Sequence, residues 1–420
     1  MIAAQSEAAA YARFAERVRG EGLLSDPWLD GQPRFATQAM TLASHDWQAA
    51  VRAAETMAQI HDEVVRLVSQ DGGLFDAYIK LGPVGKAMWE CAAPRWHGMA
   101  RADVFLTATG PVLCELNSDT PSGQAEAVTL SRMFSEGEGR DPNPNLESRF
   151  CALVAHAAHG LGNPLTGLTV GILYPTEFTE DLGLVLLYER WLVARGARVV
   201  LGSPFNLQPA PDGRVALMGQ PCDVFVRHYK TDWWAEREPV WLADPPFPDQ
   251  EPLTQALALL LAAETDGKIA VLNPFGAIVP QNKRSLALLW EEQQRFSPEG
   301  QAAIGRYLPP TYRLETQSLP SLRQEREAWV LKSDYGCEGE ETIVGRAATQ
   351  AVWEESLAQA VPGRWIAQRC FEPMRDPSGC ECNLGVYLIA GAACGLYARR
   401  SVGPTDATAL STAVRIVSPS

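Results

Sequence analysis

The sequence predicts a mixed α/β protein, and three observations lead to that prediction. Residues 168–227 contain a strand, a helix and two further strands, joined by short connections that suit a parallel sheet. Residues 101–126 and 384–398 each contain two β-prone apolar runs separated by a turn, which indicates a hairpin. Alanine-rich stretches at residues 3–20, before the first hairpin, and 147–160, after it, are predicted to be helices.

The overall composition excludes several classes of protein. A chain of 420 residues can form two or three domains, and its net charge of −14 argues against broad nucleic-acid binding. The N-terminal segment lacks the features of a signal peptide, and the longest apolar run, residues 256–263, is too short to span a membrane. The nine cysteines show no framework spacing. We therefore expect reduced thiols, a cytoplasmic location and no membrane or nucleic-acid partner.

The first hairpin carries four polar side chains on otherwise apolar strands. Because side chains alternate along a strand, Arg101 shares a face with Asp103, and Glu115 shares a face with Asn117. If Asp103 pairs opposite Glu115, the predicted tip is a three-residue loop, residues 108–110, and all four polar side chains lie on one face. A two-residue loop would place the two pairs on opposite faces.

The residues alone leave more than one interpretation of this polar face open. Two carboxylates, an amide oxygen and an arginine suit a hard divalent cation and an anionic oxygen. The same pattern also suits an edge hairpin with a solvated polar face. A hydrolase that acts on a sugar with paired carboxylates is a further alternative.

A second group of polar residues lies in the last third of the chain. Residues 328–332 are predicted to form a strand that ends in Lys332, followed by a turn that contains Gly336 and Gly339. Backbone N–H groups in such a turn could approach a phosphate closely, and the ammonium group would add charge. An ordinary β-turn is the simpler explanation of the two glycines.

Taken together, these motifs resemble the synthetase portion of glutathionylspermidine synthase, a family with a permuted ATP-grasp fold. The most specific stretch consists of Arg101-x-Asp103, then Glu115-x-Asn117-x-Asp119-Thr-Pro, and then Glu126-Ala, which match the family in residue type and spacing. Looser matches follow in the family's order: Asn282-Lys283, Trp329 to Lys332, Trp365 to Gln368, and Gly395 to Arg399, with the aromatic segment Phe225 to Trp234 in the middle region.

The resemblance implies an α/β (α+β) fold of the permuted ATP-grasp type, organised in three regions. Residues 1–160 would form a helical segment and the hairpin with the magnesium motif, packed on the C-terminal region. Residues 165–280 would form a small open α/β pre-ATP-grasp domain, and residues 281–420 the nucleotide-binding region. Because the magnesium motif precedes the lysines, the hairpin is expected to fold back against residues 281–420.

The resemblance also implies an activity, namely an ATP-dependent carbon–nitrogen ligase that joins a carboxylate to an amine through an acyl phosphate and releases ADP. ATP and Mg²⁺ would be the cofactors, and the substrates a small-molecule or peptide carboxylate and an amine. The implied site residues are Asp103, Glu115 and Asn117 for Mg²⁺; Arg101 and Arg399 for the transferring phosphoryl group; Lys283, Lys332, Gly336, Gly339 and Gln368 for the nucleotide; and Asp119, Thr120, Ser122, Glu180 and Asp181 for the substrates.

Three qualifications accompany these expectations. Glu180 and Asp181 suit a cationic amine, but a solvated helix start explains them as well. Cys337 stands where the family's glycine loop has an arginine, which favours the alternative of a catalytically weak ATP-grasp relative that binds nucleotide or a peptide as a scaffold. The amidase domain of some family members is absent from this sequence, so no amidase activity is expected. Replacing Asp103 or Glu115 by alanine should lower Mg²⁺-dependent ATP turnover and leave the fold intact.

Overall fold

The computed structural model describes residues 2–159, 161, 165–176, 181–236, 253–336, 341–360 and 363–418. The helices are α1 (Ile2–Gly20), α2 (Ser44–Gln70), α3 (Gly72–Tyr78), α4 (Pro83–Ala92), α5 (Gln124–Met133), α6 (Leu146–His159), α7 (Leu182–Ala194), α8 (Thr231–Glu236), α9 (Thr254–Thr265), α10 (Ile278–Gln281), α11 (Arg284–Glu291), α12 (Pro298–Tyr307), α13 (Leu319–Gln324) and α14 (Gln350–Ala360). No helix in these ranges is sufficiently long and apolar to cross a membrane.

The strands belong to several separate sheets. They are β1 (Trp28–Leu29), β2 (Gln32–Pro33), β3 (Met40–Ala43), β4 (Met99–Thr107), β5 (Gly110–Asn117), β6 (Thr169–Leu173), β7 (Arg198–Gly202), β8 (Leu207–Pro209), β9 (Val215–Leu217), β10 (Gln220–Cys222), β11 (Val224–Arg227), β12 (Ala270–Leu272), β13 (Thr311–Arg313), β14 (Trp329–Ser333), β15 (Thr342–Val344), β16 (Trp365–Arg369), β17 (Glu381–Ile389), β18 (Ala392–Ser401), β19 (Leu410–Thr412) and β20 (Val414–Val417).

A five-stranded antiparallel sheet joins the early hairpin to the end of the chain. Its order is β19-β18-β17-β4-β5, and β4 pairs with β17 so that Asp103 lies opposite Gly385. A second link is the parallel pairing of β3 with β20. Strands from the first 120 residues and the last 40 residues therefore share hydrogen-bonded sheets, as the order of the motifs requires.

Helix α2 covers one face of this five-stranded sheet. Its buried stripe is rich in alanine and valine, and it packs against the inward side chains of β4, β5 and β17, such as Ala102, Leu116 and Val386. His61 lies on the same stripe, where complete burial lowers its pKa to about 4 and keeps the ring neutral. Because strand side chains alternate, the opposite face of the sheet is left for the polar residues.

The middle of the chain forms a four-stranded parallel sheet in the order β12-β11-β6-β7. Helices α6 and α7 pack on one face, and α4 and α9 pack on the other. The predicted strand, helix and strand order is therefore present. Parallel strands buried on both faces are nearly all apolar, which explains the continuous valine and leucine runs in this region.

A third sheet is antiparallel, in the order β13-β16-β14-β15, and its apolar side packs against α13 and α14. Val330 lies opposite Gln368, so Lys332, two residues further along β14, is on the same face as Gln368. This sheet approaches the polar face of the five-stranded sheet at the bulge in β5 described below.

Candidate active site

The early hairpin has the predicted pairing but a different tip. Asp103 lies opposite Glu115, and Arg101 lies opposite Asn117, so all four polar side chains are on one face. The predicted three-residue loop is wrong, because Thr107 pairs with Gly110 and the tip has only residues 108 and 109. The third residue lies in a β-bulge in β5 and not in the loop. Asp103 pairs with Glu115, but Val104 pairs with Leu113, so Cys114 has no partner on β4.

Asp103 lies at the centre of the polar face and is completely buried. Its Oδ1 accepts a 2.6 Å hydrogen bond from Arg101 Nε. Its Oδ2 is held more loosely, by Arg101 Nη2 at 3.2 Å, Asn383 Nδ2 at 3.4 Å and Arg399 Nη2 at 3.4 Å. The two oxygens therefore differ, since one is tightly bound by the protein and the other has three long contacts.

Arg101 reaches this position across β17. A Cβ atom on Gly385 would lie 2.7 Å from Arg101 Cδ, so only glycine leaves room for the arginine stem at this point of the sheet. The guanidinium also donates from Nη1 to the backbone oxygen of Ser122 at 3.0 Å. These hydrogen bonds leave one N–H on each of Nη1 and Nη2 that no described residue accepts.

Glu115 is the second carboxylate of the face, and Lys283 lies beside it. The Lys283 Nζ is 3.7 Å from Glu115 Oε2 and donates to the backbone oxygen of Gly336 at 2.5 Å. Burial alone would raise the pKa of Glu115, but the charges of Lys283 and Lys332 and a hydrogen bond from Asn117 lower it to about 2. Glu115 is therefore ionised at neutral pH and can serve as a negatively charged oxygen ligand.

Lys332 connects the third sheet to the hairpin. Its ammonium group donates to Cys114 O at 3.1 Å and to Gln368 Oε1 at 2.9 Å, and Gln368 Nε2 in turn donates to Thr311 Oγ1 at 2.9 Å. Cys114 is the bulge residue, so its carbonyl oxygen is available to a side chain of another sheet. The structure thus brings Lys283 and Lys332, two of the predicted nucleotide residues, next to the hairpin that carries the two carboxylates.

Gln281, just before Asn282-Lys283, is a site residue that no sequence motif identified. Its Oε1 accepts from Ser118 N at 2.8 Å and from Asp119 N at 3.0 Å, and its Nε2 donates to Asn117 Oδ1 at 3.5 Å. Gln281 therefore holds the end of the hairpin that carries Asn117. Its position next to the lysine motif was the only signal in the sequence.

The loop after the hairpin holds three predicted substrate residues, and the structure gives them different surroundings. Asp119 is buried, and its oxygens accept from Arg227 Nη2 at 2.6 Å and from Thr231 Oγ1 and N at 2.6 and 2.7 Å. Ser122 contacts the site through its backbone oxygen, as described above. Thr120 lines a small cavity at the ends of β11 and β12. Asp119 therefore anchors the loop to the parallel sheet.

Of the two remaining predicted substrate residues, Asp181 lies directly before α7. Asp181 Oδ2 is 3.0 Å from His228 Nε2. Burial alone would raise the pKa of Asp181, but the charge and hydrogen bond of His228 outweigh it and lower the pKa. Glu180, Gly339 and Cys337 lie outside the described residues, so their predicted roles remain predictions.

The donor set of the polar face fits a hard divalent cation. Asp103 and Glu115 supply carboxylate oxygens, and Asn117 supplies an amide oxygen, which are the ligand types that Mg²⁺ and Ca²⁺ prefer. In the part of the chain that is described, no group of three histidine, cysteine, aspartate or glutamate side chains is placed to hold a metal by itself. An all-protein zinc site is therefore not present among these residues, whereas a cation completed by substrate oxygens fits.

Comparisons with known proteins agree with the resemblance drawn from the motifs. Residues 247–412 match the family model described as glutathionylspermidine synthase preATP-grasp, a segment that includes Lys283, Lys332, Gln368 and Arg399 but not the early hairpin. No curated protein matches the chain.

Many solved structures are similar to this one, and two of them are as follows. A glutathione synthetase-like effector from Globodera pallida, in its apo form, shares 12% identity with a TM-score of 0.57, covering 96% of this chain and 95% of that one. A crystal structure of a putative gamma-glutamylcysteine synthetase from Methylobacillus flagellatus shares 12% identity with a TM-score of 0.46, covering 90% and 87%. At this identity the first likeness concerns the fold, and it supports the predicted fold class. The chain is therefore similar to the glutathionylspermidine synthase family, as its sequence motifs predict.

Proposed function

We propose that this protein is an ATP-dependent carboxylate–amine ligase that forms an amide, ADP and phosphate. The observation that carries the proposal is the convergence of Asp103 and Glu115, in register on adjacent strands, with Lys283 and Lys332. Two acids beside two buried lysines suit a metal–nucleotide complex, in which the cation and the ammonium groups share the phosphate charge.

The residues divide between the cation and the phosphates. Asp103, Glu115 and Asn117 would hold Mg²⁺, which when bound neutralises charge on the phosphate oxygens during phosphoryl transfer. Asp103 would use Oδ2, the loosely held oxygen, while Oδ1 stays with Arg101. Lys283 and Lys332 would exchange their present carbonyl partners, Gly336 O and Cys114 O, for phosphate oxygens.

Arg101 would stabilise the transferring phosphoryl group. Its guanidinium is fixed by Asp103 and Ser122 O, and its two remaining N–H groups can donate to an anionic oxygen without reorganisation. The carboxylate substrate would take the γ-phosphoryl group of ATP to give an acyl phosphate and ADP. The amine would then attack the acyl carbon, lose a proton and expel inorganic phosphate.

The test is ADP release with a panel of acids and amines, using Glu115→Gln as the informative variant. This change keeps the shape of the side chain and removes the charge that the two lysines face, so we expect Mg²⁺-dependent turnover to fall by a factor of about 10² or more. Glu136→Gln, at an exposed position, is the matched control and should leave turnover unchanged.

Two results would refute or redirect the proposal. Turnover by Glu115→Gln at the wild-type rate would remove Glu115 from the metal site. Binding of MgADP by the wild-type protein without ADP release for any acid–amine pair would favour the scaffold alternative.

A further inference from the structure

Asn383, on the central strand of the five-stranded sheet, is a polar residue that no motif identified. It lies opposite Arg399 on β18, and it is two residues before Gly385, which lies opposite Asp103. Its side chain is therefore on the same face as the two carboxylates. Only 4% of the residue is exposed, in a strand whose following residues are mostly apolar.

Among the described residues, only the nitrogen of the Asn383 amide group has a hydrogen-bond partner. Its Nδ2 donates to Asp103 Oδ2 at 3.4 Å, which is a long hydrogen bond. No described residue donates to its Oδ1. This oxygen is not among the completely buried side-chain atoms of the described residues that lack a partner, so it remains accessible to a bound group on a face built from oxygen ligands.

From this geometry we propose that Asn383 is a further oxygen ligand of the divalent cation, a proposal that rests on the proposed function. The loosely held Oδ2 of Asp103 is the oxygen available to a cation, and the Asn383 amide lies beside it. The amide carries a donor and an acceptor of nearly the same shape. Rotation about its last side-chain bond would therefore exchange Nδ2 for Oδ1 when a cation replaces the hydrogen bond.

The alternative is that Asn383 merely positions Asp103 by donating to it. The two roles predict opposite behaviour for one substitution. Asn383→Asp keeps an oxygen but loses the donor and places a second carboxylate beside Asp103. A ligand role allows this variant to bind a cation, whereas a purely positioning role makes it as defective as a variant with no polar group.

The experiment measures Mn²⁺ binding to the full chain in the presence of ADP, by electron paramagnetic resonance of free Mn²⁺. We expect Asn383→Leu to weaken Mn²⁺ binding by about tenfold or more and Asn383→Asp to bind at least as tightly as the wild type. Asn145→Leu, an exposed asparagine, is the matched control and should match the wild type. ADP binding without metal, measured by calorimetry, should change little in each variant.

The outcomes separate this proposal from the proposed function. Wild-type affinity in Asn383→Leu, or equal loss in Asn383→Asp and Asn383→Leu, overturns the Asn383 assignment and leaves the other metal residues in place. Failure of the wild-type protein to bind Mn²⁺ overturns the metal site as a whole, and Asn383 with it. If the leucine variant does not fold, Asn383→Asp decides alone, since loss of Mn²⁺ binding in that variant contradicts the proposal.

Discussion

Replacing Asp103 by alanine should destabilise the fold as well as abolish turnover, which revises the expectation drawn from the sequence. Asp103 is 0% exposed and Arg101 is 8% exposed, and the two form a paired hydrogen bond at 2.6 and 3.2 Å. Removing the carboxylate leaves the guanidinium buried with Ser122 O as its remaining partner. Breaking a buried ion pair of this kind costs about 3–5 kcal/mol of unfolding free energy.

The pair can be tested by urea unfolding of the single and double variants. Asp103→Ala alone should shift the unfolding midpoint strongly to lower urea, whereas Arg101→Met combined with Asp103→Leu should lose less, because no unpaired charge remains buried. Asp266→Ala, at an exposed aspartate, serves as the control. A loss below about 1 kcal/mol in Asp103→Ala, the range of an exposed ion pair, would refute this account of the buried pair.

Two further predictions concern Glu315, which pairs with the buried Arg284, and Gln281 of the candidate site. Burial alone would raise the pKa of Glu315, but hydrogen bonds from Arg284 and Lys80 lower it to about 2. The ionised carboxylate therefore stabilises the fold fully above about pH 4.5, and this stabilisation is lost as the pH falls toward 2. Glu315→Gln should therefore lower the free energy of unfolding, measured in urea at pH 7, by about 2 kcal/mol, a value reduced because the side chain is partly exposed. An equal loss at pH 7 and at pH 2.5 would contradict this prediction. Gln281→Leu should raise the Mg²⁺ concentration for half-maximal turnover by about tenfold, while Gln281→Glu, which keeps the oxygen that accepts from Ser118 N and Asp119 N, should recover part of the loss. If both variants behave alike, this oxygen does not hold the end of the hairpin in place for the metal site.

Local periodicity was sufficient to predict several of the longer elements of the fold. The strands at Thr169–Leu173 and Arg198–Gly202 and the helix Leu182–Ala194 between them follow directly from apolar runs and turn residues. Polar residues two apart on one strand must share a face, so the pairs Arg101 with Asp103 and Glu115 with Asn117 were also predictable.

The bulge at Cys114 shows where prediction from local patterns failed. Counting residues through the turn required a three-residue loop, but the strand absorbed the extra residue instead. Turn length and bulges compensate for each other, and which of them occurs depends on neighbouring contacts such as Lys332 Nζ with Cys114 O. Those contacts come from a segment about two hundred residues later in the chain.

The sequence by itself determined the mixed α/β class, the polar face of the hairpin and the family resemblance, because each depends on residue types at short spacing. Only the tertiary structure decided that Asp103 Oδ1 accepts a short hydrogen bond from Arg101 while Oδ2 has only longer contacts, and that Gln281 and Asn383 lie against the site residues. These features depend on strand pairing and sheet contacts between distant segments. Spacing within one segment carries no information about which distant side chains it will meet.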